Sequence, residues 1–304
     1  MVNQSVLEHL KQIVPEKDLL KNEPMSRHTT FKVGGEASLL IRISKASQLK
    51  QLIPLFRKLE IDFYVLGNGS NVLIGDKGYE GVILLVGDGL DTISVKQHKI
   101  TVGAGALLSA VSRCAAEHGL SGMEFASGIP GTIGGAMVMN AGAFDGEMAF
   151  ITESVLIMNE AGEEMCLNRE AMEFGYRTSV IKNRPYVVLS ATFCLEPGNP
   201  DKIKAKMAEI ANKRREKQPL EYASAGSTFK RPPGAYAGKL IMDAGLRGFS
   251  IGGASVSEKH CGFVINRGNA TSADILEVIL EVQDRVYDRF DIMLEPEVIC
   301  LGNF

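Results

Sequence analysis

Gly122-Met-Glu-Phe-Ala-Ser-Gly-Ile-Pro-Gly-Thr-Ile-Gly-Gly-Ala-Met-Val-Met-Asn-Ala-Gly-Ala-Phe144 is the stretch from which the rest of the chain is read. It is too poor in charge for an ordinary surface loop and too rich in glycine for an ordinary core helix. Gly128, Gly131, Gly134 and Gly135 remove side chains where the backbone turns tightly or another group approaches it closely. Pro130 fixes φ just ahead of a predicted helix start, where the first amides have no intrahelical partner. Uncovered amides at such a start seat an anion, typically a phosphate. The competing reading is a close-packed glycine helix, and the stretch alone does not choose between them.

Working outward, a length of 304 residues suits two or three subdomains, since domains commonly run to roughly 100–150 residues. An apolar share of 45% with 23% charged residues is that of a soluble globular protein. A net charge of −3 gives no reason to expect nucleic acid or an anionic membrane as partner. No transmembrane run and no signal-peptide pattern is present, so a cytoplasmic location is expected. Cys114, Cys166, Cys194, Cys261 and Cys300 are scattered with no Cys-x-x-Cys pair, and most have apolar neighbours, so reduced core thiols are expected. The histidines show no metal-ligand spacing, and no metal site is expected.

Val6, Leu7, Leu10, Ile13 and Val14 predict an amphipathic helix within residues 5–20. A strand at 38–43, a helix near 46–60 and a strand at 63–66 read as a β-α-β unit. It ends in a second glycine site, Gly67-Asn-Gly-Ser-Asn71. This loop is not the dinucleotide fingerprint: Val72 occupies the third glycine position, and a strand, 72–74, follows instead of a helix. Residues 234–239 resemble a P-loop, but the spacing is one short and Leu240 replaces the Ser/Thr.

Strands are read at 81–86, 92–95 and 100–105, a helix at 107–118 stopped by Gly119, a hairpin from 155–158 and 164–167, and a strand at 186–195. Pro197-Gly-Asn-Pro200 is the best boundary. Beyond it a helix at 201–217 carries the basic end Lys213-Arg-Arg-Glu-Lys217. Another at 271–289 has Ile275, Val278, Ile279, Val282 and Val286 on one face and Thr271 and Asp274 placed as a capping box. The domains expected are a lead-in at 1–26, α+β subdomains at 27–90 and 91–199, and a third α+β domain at 200–304.

Two glycine anion seats without a Rossmann or P-loop fingerprint call for a different dinucleotide fold. Gly67-Asn-Gly-Ser-Asn71, Ser127-Gly-Ile-Pro-Gly-Thr-Ile-Gly-Gly135, Met139-Asn-Ala-Gly142, Tyr176-Arg-Thr-Ser179, Gly226-Ser-Thr-Phe-Lys230 and Leu294-Glu-Pro-Glu-Val298 occur in that order. Together they resemble the UDP-N-acetylenolpyruvoylglucosamine reductase (MurB) family over roughly residues 27–302. The resemblance implies an α+β FAD-binding fold of the p-cresol methylhydroxylase and vanillyl-alcohol oxidase type, with two subdomains gripping non-covalent FAD and a third closing over substrate. It also implies the reaction: NADPH reduces FAD, and the flavin reduces UDP-N-acetylglucosamine enolpyruvate to UDP-N-acetylmuramate for peptidoglycan synthesis.

The resemblance assigns cofactor binding to Gly67, Asn68, Gly69, Ser70 and Asn71, and to Ser127, Gly128, Ile129, Pro130, Gly131, Thr132, Gly134 and Gly135. Hydride delivery to an enol ether leaves a carbanion beside a carboxylate, so the site needs a cation and a proton donor. Arg177, with its fixed fork of donors, is the candidate cation; a surface salt bridge is its other reading. A serine after glycine reads as a turn or cap residue; the resemblance over 226–230 makes Ser227 the candidate acid, with Lys230 close in sequence. Glu295 and Glu297 share a face on a strand, and periodicity does not choose between them; the resemblance places the catalytic carboxylate at Glu297. Tyr176, Arg214, Lys217 and Lys230 are candidate substrate contacts. The chain lacks the tyrosine-bearing insertion that longer members carry after the Tyr-Arg motif. The competing functions are another flavin oxidase or dehydrogenase of the same fold and a non-catalytic nucleotide-sugar-binding module.

Overall fold

A computed structural model describes residues 4–304, which pack as two compact units. The first holds the chain up to Lys21 together with Leu39–Asn68 and Gly81–Lys213; the second holds Asn22–Ser38, Gly69–Glu80 and Arg214–Phe304. These limits differ from the sequence boundaries at 26/27, 90/91 and 199/200, and residues 1–3 of the expected lead-in lie outside the described residues. Segments 22–38 and 69–80 join the second unit because they bond to the C-terminal region. Val72–Ile74 pairs in parallel with Ile299–Leu301, and the buried Asn266 side chain donates to the Phe31 carbonyl.

In the first unit the helix Gln4–Ile13 buries Leu7 and Leu10. It stops short of residue 20 because Pro15 follows, and Leu19–Pro24 becomes a strand instead. That strand leads a four-stranded sheet in the order Leu19–Pro24, Glu36–Ile43, Tyr79–Val86, Phe63–Leu66. The expected β-α-β elements form, but Tyr79–Val86 inserts between the two strands and pairs in parallel with Phe63–Leu66. A second sheet runs Glu164–Asn168, Thr152–Met158, Val187–Cys194, Lys99–Gly103, Ile93–Lys96, with every neighbour antiparallel. Ile100, Val155, Ile157 and Phe193 from this sheet share one core with Ile133 and Met137 of the helix Ile133–Met139. Each such side chain contributes about 1.5–3 kcal/mol on burial.

The second unit has its own core of Phe31, Leu73, Phe229, Ile241 and the predicted face of the helix Ser272–Phe290: Ile275, Val278, Ile279, Val282 and Val286. The capping box forms, Asp274 N–H donating to Thr271 Oγ1 and Thr271 N–H to Asp274 Oδ2, both at 3.0 Å. Asp76 adds a cap from a distant turn, its two oxygens accepting from Ser272 N at 2.8 Å and Ala273 N at 2.9 Å.

The cysteines correct one expectation. Only Cys261 is buried, whereas Cys166, Cys194 and Cys300 are exposed; all five are free thiols. Their apolar sequence neighbours misled because side chains alternate across a strand, and these cysteines occupy the outward positions. Among the described residues no helix is long and apolar enough to cross a membrane.

Candidate active site

The two glycine loops meet in the first unit. Asn68 Nδ2 donates to the Pro130 carbonyl at 2.7 Å. At Gly67 the backbone lies so close to Thr132 that a Cβ would overlap its Oγ1 and stand 3.4 Å from its Cβ and Cγ2. Gly67, Thr132, Gly134 and Gly135 line an open cleft with Tyr186 and Val188.

Of the amides the sequence pointed to, those at the helix start itself are engaged. Ile133 N–H donates to Ala106 O at 2.9 Å, Gly134 N–H to Ala104 O at 2.8 Å, and Gly135 N–H to Thr132 Oγ1 at 3.4 Å. The helix start is occupied because Leu107 and Thr132 form an antiparallel bridge that carries the chain against it. Gly134 is there for that packing: a Cβ would lie 3.2 Å from Ala104 O and 3.3 Å from its Cβ. Just ahead of the helix, Gly128, Gly131 and Thr132 have amides that donate to no acceptor among the described residues, and so do Gly67 and Asn68. Residues 133–135 thus pack closely at the helix start, while the open amides of this stretch are those of Gly128, Gly131 and Thr132.

Other polar groups of these loops are committed internally. Asn68 bonds to Pro130, Ser127 Oγ donates to Glu124 O at 2.9 Å, and Ile129 N–H donates to Ala126 O at 3.1 Å. In the second unit Gly69, Ser70 and Asn71 also present amides with no acceptor among the described residues, while Asn71 Nδ2 donates to Glu297 O at 2.9 Å. Free amides beside glycines make the uncharged concavity that suits a pyrophosphate, so the residues present fit that part of FAD.

Arg177 also belongs to the first unit. It sits at the tip of a tight turn closed by Gly175 N–H to Thr178 O at 3.1 Å and Thr178 N–H to Gly175 O at 3.3 Å. Its φ is +56°, a left-handed conformation that costs an L residue about 1–2 kcal/mol. Strain of this kind persists where surrounding contacts over-determine it, and it clusters at functional sites. Arg177 Nη2 donates to Gly142 O at 3.1 Å, and the guanidinium lies 5.2 Å from the centre of the Tyr176 ring, itself 52% exposed. A short 3₁₀ turn, Val180–Asn183, then leads to Val187–Cys194 without an inserted domain.

In the second unit the segment around Ser227 is bonded antiparallel to the segment around Glu297. Glu297 N–H donates to Thr228 O at 2.8 Å and Lys230 N–H to Glu295 O at 2.9 Å, with Phe229 opposite Pro296. Pro296 falls on the residue of this bridge whose N–H the ladder does not use, so its missing donor costs nothing. Thr228 anchors the Ser227 side: its N–H donates to Gly262 O at 2.8 Å and its Oγ1 accepts from Val264 N at 2.9 Å. Ser227 itself is exposed beside this fixed residue. Lys230 forms an ion pair with Glu295. Its ammonium is therefore engaged by that carboxylate, because the bridge sets the two residues opposite each other. Glu295 is 68% exposed and Glu297 only partly so, with both main-chain groups of Glu297 tied down by Thr228 and Asn71. The two carboxylates that periodicity left equivalent are thus in different surroundings.

The basic helix end also divides. Lys213 pairs with Glu209 at 2.5 Å on the surface. Arg214 is largely covered, its Nη1 donating to Gln218 Oε1 at 3.3 Å, and burial lowers its pKa. Burial likewise holds His260 below the ordinary imidazole value, helped by the positive charge of Lys217. The sequence singled out neither His260 nor Asn140. Asn140 lay inside a quoted motif, and an asparagine at a helix end ahead of Ala-Gly is a signal for a left-handed cap.

The comparisons with known proteins agree with this geometry. A family model described as FAD binding domain matches residues 37–166, and one described as UDP-N-acetylenolpyruvoylglucosamine reductase, C-terminal domain, matches 218–301. The chain is 48% identical to the UDP-N-acetylenolpyruvoylglucosamine reductase of Agathobacter rectalis and 47% identical to that of Clostridioides difficile, in each case over 100% of both chains. The crystal structure of the enzyme of that name from Thermus caldophilus superposes with a TM-score of 0.81 at 35% identity, covering 92% of this chain and 97% of that one. On full-length likeness of this degree, the chain belongs to the UDP-N-acetylenolpyruvoylglucosamine reductase family of flavin oxidoreductases.

Proposed function

We propose that the chain reduces UDP-N-acetylglucosamine enolpyruvate to UDP-N-acetylmuramate, a cytoplasmic step in making peptidoglycan precursors, with NADPH as the source of electrons. The observation that carries this reading is the closure of the two glycine loops on each other, with their amides left open beside a cleft. In this reading residues 27–90 and 91–199 hold the cofactor and 200–304 the substrate.

The open amides of residues 67–71 and of Gly128, Gly131 and Thr132 hold the FAD pyrophosphate. FAD, when bound, would supply two-electron hydride-transfer chemistry between NADPH and the methylene carbon of the enol ether. Arg177 holds the carboxylate beside the second carbon and stabilises the negative charge that develops there as an enolate. Glu297 helps to stabilise the same enolate, and Ser227 Oγ gives its proton to the carbon. Tyr176 walls the pocket beside Arg177; Arg214, Lys217 and Lys230 meet the anionic groups of the substrate.

The test is a visible spectrum of the purified protein followed by the two half-reactions. A bound yellow chromophore near 1:1, bleached by anaerobic NADPH and restored by the enolpyruvyl substrate, is the expected result. Reoxidation by simple alcohols or lactones instead would favour an oxidase or dehydrogenase, and no chromophore even with FAD supplied would remove the flavin reading. Ser227→Ala is expected to be reduced by NADPH and then to stall with substrate; unchanged turnover would refute the proton-donor role.

A further inference from the structure

We infer that Asn140 is a positioning residue that sets Arg177 relative to the cofactor cradle; the inference rests on the proposed role of Arg177. The turn carrying Arg177 holds a left-handed backbone at its tip, and its own two hydrogen bonds, at 3.1 and 3.3 Å, are long. The supports that keep it in place come from residues 138–142. Asn140 Nδ2 donates to Gly175 O at 3.0 Å, Ser179 Oγ donates to Val138 O at 3.0 Å, and Gly142 O receives Arg177 Nη2.

Asn140 is 1% exposed and caps the helix Ile133–Met139 with φ +43°, its own N–H donating to Ala136 O. Its Oδ1 accepts from Ala149 N at 2.9 Å. Both ends of the amide are therefore specified: a flipped side chain would set NH₂ against an N–H and oxygen against a carbonyl. Asparagine satisfies two demands at once, since it tolerates the left-handed cap and presents a donor and an acceptor on one short stem.

The same seven-residue helix begins at Thr132, whose open amide belongs to the cradle. At a rise of about 1.5 Å per residue the helix spans roughly 10 Å. One rigid element thus joins the cradle to the Arg177 turn, and Asn140 is the join at its far end.

Asn140→Asp separates this role from a merely structural one. Aspartate keeps the cap conformation and the acceptor for Ala149 N–H but turns an oxygen toward Gly175 O. In the FAD-loaded enzyme, NADPH should bleach this variant within twofold of the wild-type rate, while reoxidation by the enolpyruvyl substrate slows about 10- to 100-fold, the range expected when a reacting group is misplaced by about an ångström. In an Arg177→Ala background the same substitution should add less than about twofold, because the group it positions is gone. Wild-type reoxidation in Asn140→Asp, or the same slowing with Arg177 absent, would overturn the inference. If Arg177→Ala itself reoxidises normally, the role of Arg177 falls first and the inference with it. Should Asn140→Asp fail to fold or to hold flavin, Ser179→Ala removes one bond from the same turn and leaves Asn140 intact. It should slow reoxidation alone by about 3- to 10-fold, and normal reoxidation there would overturn the inference.

Discussion

Gly67→Ala is the sharpest test of the cradle. Its Cβ would overlap Thr132 Oγ1, the atom that caps the helix by accepting from Gly135 N–H at 3.4 Å. The hydroxyl must rotate away, and the loss of such a cap costs about 0.5–2 kcal/mol, with a bond this long at the low end. Moving residue 67 also strains the 2.7 Å bond from Asn68 to Pro130 O, worth about 0.5–1.5 kcal/mol. Together about 1–3 kcal/mol is lost from the closed arrangement of the loops, which at about 1.4 kcal/mol per decade weakens FAD binding roughly 5- to 150-fold. Flavin titration of the apoprotein reads this directly, and thermal melting of the apoprotein should shift only by the cap. Thr132→Ala removes the obstructing oxygen, so Gly67→Ala should cost less in that background; a coupling of about 0.5–3 kcal/mol is usual for residues in contact. FAD affinity within twofold of wild type for Gly67→Ala, or strict additivity with Thr132→Ala, would refute the claim that loop closure makes the seat.

Arg177→Gly should separate strain from chemistry. It relieves about 1–2 kcal/mol of left-handed backbone cost, so Tm should hold or rise while substrate reduction falls at least about 100-fold; a lower Tm with activity retained would make Arg177 a structural residue. Glu295→Gln breaks an exposed pair with Lys230 worth about 0–1 kcal/mol and should leave kcat nearly unchanged, whereas Glu297→Gln should lower it by about 10²–10⁴. The reverse ranking in steady-state assays would reassign the carboxylate. His260 gives a pH signature. Because burial lowers its pKa, the folded chain binds fewer protons than the unfolded one below the ordinary value of about 6.5. Its stabilising contribution is therefore full above that pH and declines as pH falls toward the folded value, by at most about 1.4 kcal/mol per pH unit. Denaturant midpoints of His260→Gln should show a flatter acid limb; an unchanged limb would assign the acid sensitivity elsewhere.

Elements with a strong periodic face were legible: the helix Ser272–Phe290 appears with its capping box and buried stripe as the spacing predicts. Chain order did not reveal strand order, and Tyr79–Val86 came between two strands read as one unit, because pairing is decided by tertiary contacts beyond any local window. The glycine loops were legible as places of close approach. Which amides they leave open was not, since that depends on Ala104 and Ala106 taking up the helix start from a distant strand end. The two glutamates around Pro296 could not be ranked by periodicity. A partner, Lys230, distinguishes Glu295, and its position follows from a bridge 65 residues long in sequence. Asn140 was visible as a letter in a motif, and its role as a link appeared only with Gly175 and Ala149 on either side of its amide.

The bond from Asn71 to Glu297 joins residues 226 apart in sequence, and the strand Val72–Ile74 pairs with Ile299–Leu301 over a similar distance. During synthesis at about 5–20 residues per second, the loop at 69–71 therefore waits ten seconds or more, by that rate roughly 11–45 s, for the strand that completes it. Until then a nascent chain carries a half-built seat whose partner strand has not yet left the ribosome. The order of synthesis thus leaves this edge open to wrong partners until residues 297–301 emerge, and slower elongation between the two segments would lengthen that interval.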